Sequence, residues 1–358
     1  MPSLPRVEAS PAATLPEGLE LRKLARRALQ VALLIGVFVL VVLLAPGLGD
    51  VRRYLGDANP WWVAIAVLFE LLSCLSYVVM FKPVFCSEMS WRMSSRIGWS
   101  ELGVGAIVPA SGAAGLALGA WALTQAGMSL ERVARRSVAF FTIKSSVNFV
   151  AVAVLGTVMA LGLVGPDLSL WLTALPAAMS MATIALVLAL PRIGPGEIPD
   201  DAGRLRRWVG HARRSVIHGV REAIVIVRQR DVLVLVGAIG YWAWDNAVLW
   251  ATFHAFGAHV DLSVVLMGYL IGQMGGLLPI PGGVGGIDGG LIGTLIVFGA
   301  PAAVTVAAVL VYRVILFWIP LLGGGVEFVS LTRALKRGEQ VCRVPGGDLP
   351  VVRVPRRV

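Results

Sequence analysis

Apolar residues dominate six stretches of the chain, at 28–46, 60–83, 137–163, 168–190, 232–256 and 302–326. Each is long enough to cross the roughly 30 Å of a bilayer's hydrocarbon as a helix. Two further apolar regions, 97–126 and 262–299, are interrupted by proline and glycine. The second carries LPIPGGVGGIDGG from Leu278 to Gly290, and the first a fainter copy, IVPASGAAG from Ile107 to Gly115. A broken helix in lipid strands backbone N–H and C=O groups, so it survives only where protein or a water-filled cavity satisfies them. The pattern predicts an all-α polytopic membrane protein with six spans and two broken-helix hairpins, either re-entrant or built as paired crossings.

Composition narrows this further. Hydrophobic residues make up 57% of the 358 residues and the mean hydropathy is +0.80, too apolar for a soluble chain of this size to cover its surface. The first apolar run follows Arg22, Lys23, Arg26 and Arg27 but is too long for a secretion signal, and no small-x-small cleavage site follows, so it is expected to be retained. A net charge of +10 would suggest nucleic acid in a soluble protein. Here the basic residues flank apolar runs and serve to orient them.

If each hairpin enters and leaves on one side, 27 of the 31 Lys and Arg residues fall in the cytoplasm. Arg52 and Arg53 lie outside, and Lys144 and Arg313 lie in the membrane. Single crossings would instead divide the charges 15 to 14, which the positive-inside rule rejects. Both termini are therefore expected in the cytoplasm. Cys86 and Cys342 then fall in reducing surroundings and Cys74 within a span, so no disulfide is expected.

Sliding the chain by 172 residues lays 60–83 on 232–256, Pro109 on Pro281 and Gly127 on Gly299. Two copies of one unit are expected, inverted with respect to each other, a plan that suits alternating access because both faces are made from the same parts. The expected organisation is a cytoplasmic segment at 1–27, a first membrane repeat at 28–190, a basic linker at 191–231, a second repeat at 232–332 and a basic tail at 333–358. In the linker, Leu205, Trp208, Ala212, Val216, Val220 and Ile224 recur at helical spacing between arginines, predicting an amphipathic helix on the anionic inner leaflet.

Ionisable side chains inside a bilayer are costly and are functional candidates by default. Six qualify: Glu70, Glu101, Lys144, Asp245, Asp288 and Arg313. Glu70 maps within one helical turn of Asp245, and Lys144 within one turn of Arg313, so each half offers an acid and a base. An arginine fork suits phosphate oxygens better than a point charge does, which makes Arg313 the first candidate for a lipid phosphate and Lys144 the second. The bland alternative is that these bases only neutralise Glu70, Asp245 or Asp288. The acids could hold a cationic headgroup or a coupling ion, or relay protons. Among the acids Glu101, a few residues into its hinged segment and near the cytoplasmic interface, is the weakest site candidate, and Asp288, directly after the second hinge, is the strongest. Pro109, Gly112, Pro279, Pro281, Gly282, Gly283 and Gly286 form the hinges. The helix resuming near Ile287 would aim its positive end at the membrane centre, while Gly282, Gly286 and Gly290 equally fit a packing ridge. Nucleotide loops, HExxH and CxxC are missing from the sequence, and its four histidines are scattered. No metal, cofactor or enzymatic activity is expected.

The run LPIPGGVGGIDGGLIGTLIVFGAP, followed by VYRVILFWIPLLGG, resembles the lysylphosphatidylglycerol synthase transmembrane family, also called flippase-like or UPF0104. IVPASGAAG, the AGMS turn at Ala126–Ser129 and the helix through Lys144 resemble its first half. The resemblance implies a bacterial cytoplasmic membrane and translocation of a phospholipid, aminoacyl-lipid or polyprenyl-linked lipid between leaflets. In the family's lysyltransferases a separate soluble aminoacyltransferase domain makes the lipid; this sequence ends before such a domain, so aminoacyl transfer is not expected of it. A separate cytoplasmic transferase is an expected partner, and nucleic acid is not. Asp288 stands where the family more often has Glu, which leaves the headgroup open. An ion-coupled solute transporter and a non-transporting membrane partner of a glycosyl- or aminoacyltransferase are the competing readings.

Overall fold

The structure, a computed structural model, describes residues 21–44, 49–107, 113–125, 128–192, 203–272 and 286–342. Pro109, Gly112, Pro279, Pro281, Gly282 and Gly283 lie outside them, as do Gly127 and the hinge itself; Gly286 opens a helix. The described chain is helical: α1 (Leu21–Leu44), α2 (Gly49–Gly56), α3 (Pro60–Phe85), α4 (Trp91–Ile107), α5 (Ala113–Gln125), α6 (Leu130–Ala160), α7 (Leu170–Ala189), α8 (Arg204–Arg228), α9 (Val232–Ala255), α10 (Leu262–Gly272), α11 (Gly286–Val297) and α12 (Ala302–Lys336). Five of these, α3, α6, α7, α9 and α12, are long and apolar enough to cross a membrane, and α1 covers the remaining apolar run. This is an all-α polytopic membrane protein.

Local chemistry sets the ends. Asn59 caps α3 by accepting the Trp61 amide at 3.0 Å, with Pro60 opening the helix, and Asp231 caps α9 through the Leu233 amide at 2.9 Å. Both satisfy donors that a helix start leaves orphaned. After α11 the chain turns at Gly299, whose φ of 98° suits glycine, while Ala300 returns its amide to the Leu295 carbonyl. The short α2, not foreseen from the sequence, buries Val51.

Helices α4 and α5, and α10 and α11, form two hairpins. With 11 residues in α10 and 12 in α11, these arms rise only roughly 16–18 Å, too short to cross the hydrocarbon alone. Each hairpin closes through glycine. Gly115 lies against the Glu101 backbone, and Gly272 against Leu291.

Equivalent helices start at matching intervals: α3 at Pro60 and α9 at Val232, α6 at Leu130 and α12 at Ala302, both 172 residues apart. Helices α3 and α9 pack along their whole length and run antiparallel. Asn59 bonds to Ala255, Trp62 stacks edge-on with Trp250, Phe69 stacks on Trp244, Ser73 donates to the Tyr241 carbonyl and Met80 touches Gly237, so one number falls as the other rises. Helix α12 crosses α4 just as closely, because Gly103, Gly323 and Gly324 let Trp99 and the two backbones meet.

One expectation needs correction. Cys86 and Cys342 form a disulfide, with Cα atoms 6.2 Å apart, where none was expected. Compartment reasoning weighs oxidation rather than proximity: the antiparallel α4–α12 contact brings the tail beside the loop after α3, and a disulfide at an end that positive-inside counting assigns to the cytoplasm is an exception to that reasoning. The linker helix α8 spans Arg204–Arg228 and packs one face on the bundle. Ile217, Val220, Ala223 and Ile226 are buried, and Gly219 sits against Val138 of α6, while Val216 of the expected stripe is exposed. Arg136 and Glu222 close that contact at 2.9 Å. The side chains of Leu205 and Trp208 lie outside the described residues.

Candidate functional site

Where the two halves meet, α3, α4, α6, α9, α10, α11 and α12 deliver a cluster of charged and phenolic side chains. In the second half, Arg313 donates its Nε to Asp288 Oδ1 at 2.7 Å, with side-chain exposures of 15% and 1%. Asp288 lies in the first turn of α11, where the helix dipole also favours a carboxylate. One residue before Arg313, the Tyr312 hydroxyl donates to Asp245 Oδ1 at 3.0 Å, and Tyr269 of α10 donates to Oδ2. Asp245 thus ties α9, α10 and α12 together.

The first half mirrors this with the partners exchanged. Tyr77 of α3 donates to Glu101 Oε2 at 2.7 Å, and Glu101, 2% exposed, is fully enclosed, although its place near the start of the hinged segment made it the weakest candidate. Its other oxygen has no hydrogen-bond partner among the described residues. Gly119 of α5 makes the room: a Cβ there would overlap the Glu101 carboxylate. The Lys144 ammonium lies over the rings of Tyr241, Phe141 and Tyr77, at 5.5, 5.6 and 5.9 Å. Among the described residues no carboxylate comes within ion-pair distance of it.

Between the halves, Glu70 of α3 accepts the Cys74 thiol at 3.5 Å through Oε1, and its Oε2 is buried without a partner among the described residues. Glu70, Lys144 and Arg313 are all within electrostatic reach of Asp245, and Lys144 also of Glu101. All six charged candidates are therefore in one region. Of the hinge residues, only Gly286 is described.

Sequence reasoning passed over the tyrosines. The chain has five, and four of them, Tyr77, Tyr241, Tyr269 and Tyr312, line this cluster. A signal was present, because Tyr77 and Glu101 are 24 residues apart and so are Asp245 and Tyr269. In that register Lys144 falls on Tyr312, about one helical turn off the spacing of the helix starts.

Residues 28–324 match the family described as the lysylphosphatidylglycerol synthase TM region. The chain belongs to the lysylphosphatidylglycerol synthase transmembrane family. A UPF0104 membrane protein of Methanothermobacter thermautotrophicus is 26% identical over 315 residues, covering 81% of this chain and 91% of that protein. A second match to a UPF0104 membrane protein of the same organism is 33% identical over 79 residues, 22% of this chain and 24% of that protein. The lysylphosphatidylglycerol synthase match spans both hairpins and every residue of the central cluster.

Proposed function

We propose that the chain moves a phosphate-bearing lipid between leaflets, binding a phospholipid, aminoacyl-lipid or polyprenyl-linked lipid without altering it chemically. The observation that carries this reading is the part-buried Arg313–Asp288 pair, set beside Lys144, Glu101 and Asp245 between two hairpins of an antiparallel repeat. A lone arginine in hydrocarbon is costly, and Asp288 offsets its charge while the site is empty. An entering phosphate then takes the carboxylate's place on the guanidinium fork. Asp288 belongs to α11 at the end of the glycine hinge, so releasing it couples headgroup binding to movement of that hairpin. For an aminoacyl-lipid, a separate cytoplasmic transferase supplies the substrate.

Proteoliposomes carrying a fluorescent phospholipid, bleached from outside, test the proposal. Wild type should exceed protein-free vesicles, and Arg313→Ala should slow translocation by roughly tenfold or more, as loss of a charge-assisted fork implies. Equal rates for the two proteins would remove Arg313 from the mechanism. One observation favours the ion-coupled solute reading: Glu70 Oε2 and Glu101 Oε1 are buried acceptors without donors among the described residues, which a cation would satisfy. Solute uptake without lipid movement in the same vesicles would select it.

A further inference from the structure

A cavity of about 530 Å³ opens between α4 and α12 at the end of the bundle where α4 begins and α12 finishes. Four arginines line it: Arg92, Arg96, Arg333 and Arg337. Arg96 is buried and fixed, with Nε on Ser330 Oγ at 3.0 Å and Nη1 on Glu339 at 2.6 Å. The others are exposed at the rim. From Arg313 to Arg333 is twenty positions along α12, roughly 30 Å, so this cavity is separate from the central cluster.

The balance of charge favours an anion. Among the described residues Glu339 is the acid that pairs with an arginine here, leaving three guanidinium charges in excess. The start of α4 contributes a favourable half-charge and the end of α12 an opposing one, which nearly cancel. An apolar path leads into the arginines. Trp318, Leu322 and Val326 follow each other at four-residue steps along α12, 41%, 60% and 71% exposed, and Val326 and Val329 reach the cavity wall. A soluble anion has no use for that stripe, whereas an acyl chain does. Positive-inside counting places this end in the cytoplasm, where anionic lipids concentrate and where basic pockets between helices hold their headgroups.

We infer that this pocket is a resident site for an anionic two-tailed phospholipid, its phosphate held by Arg92, Arg96, Arg333 and Arg337 and one chain laid along Trp318, Leu322 and Val326. Glu339 occupies Arg96 and competes with the headgroup, so the tail from Arg337 to Cys342 sets how tightly the lipid is held.

Native mass spectrometry of full-length Arg313→Ala protein tests this, because the central site is disabled in that background. After extraction from mixed phosphatidylglycerol and phosphatidylcholine bilayers, the chain should retain phosphatidylglycerol preferentially. Adding Arg333→Gln and Arg337→Gln should lower its occupancy roughly tenfold or more, the effect of two interfacial cations. Both side chains are exposed, so folding should survive. Glu339→Gln should act oppositely, raising affinity by roughly threefold as Arg96 is released. A charge-matched Arg228→Gln/Lys336→Gln control should leave occupancy unchanged. Unchanged occupancy in the Arg333/Arg337 variant, an equal loss in the control, equal retention of phosphatidylcholine, or displacement by millimolar inorganic phosphate would each overturn the inference.

Discussion

The two halves solve the same problem, a cation within a membrane domain, in different ways. In the second half Arg313 is locked to Asp288 by a short charge-assisted bond, and neighbouring Asp245 is held by two phenols. In the first half Lys144 rests among three aromatic rings, and Glu101 relies on one phenol. The second half thus holds its cation by direct pairing, the first by ring faces with carboxylates only at longer range. Duplicated helices preserve the backbone plan while exchanging which partner supplies the acid and which the hydroxyl. A site with one rigid and one loosely held cation can keep its shape when empty and still yield to a ligand.

The largest expected difference lies in the cations. Arg313→Ala removes the charge-assisted partner of buried Asp288, a loss of about 3–5 kcal/mol, whereas Lys144→Met removes ring contacts worth about 0.5–2 kcal/mol. Thermal unfolding in detergent reads both, and equal losses would erase the contrast between pairing and rings. Next come the phenols. Tyr77→Phe takes from Glu101 its only hydrogen-bond donor among the described residues and should cost about 1.5–3 kcal/mol. Tyr269→Phe should cost less, since Tyr312 still serves Asp245; the reverse order would mean that Tyr312 contributes little. Glycines should differ as well. Gly119→Ala meets the Glu101 carboxylate and should cost about 1–3 kcal/mol, while a Cβ at Gly293 of α11 meets nothing within 4 Å and the change should be neutral or stabilising by up to about 1 kcal/mol. Smallest in energy is a count of thiols in the denatured, unreduced protein. Only Cys74 should react, rising to all three cysteines after reduction, and three at the outset would mean that the tail is held by Arg96–Glu339 and packing alone.

Much of the architecture was legible because hydrophobic length and the cost of broken helices in lipid act locally along the chain. The apolar runs anticipated α3, α6, α7, α9 and α12 within a few residues at most ends, except that α6 starts seven residues before its apolar run and α12 ends ten residues after its own. The charged site candidates were legible for the same reason, since a charge in an apolar run is conspicuous. Tyrosine is not conspicuous there, so Tyr77, Tyr269 and Tyr312 went unnoticed until the helices brought them to Glu101 and Asp245. The Cys86–Cys342 bond and the face of α8 depend on which helix packs on which, and Gly219 and Gly324 reveal that only once their neighbours are known.

Photo-crosslinking with a phospholipid carrying a headgroup diazirine asks most directly whether both halves build one lipid site. Adducts should appear on α6 around Phe141 and Lys144 and on α12 around Arg313, and both sets should disappear together in Arg313→Ala. Adducts confined to the exposed face of α7, or retained in that variant, would contradict a shared central site.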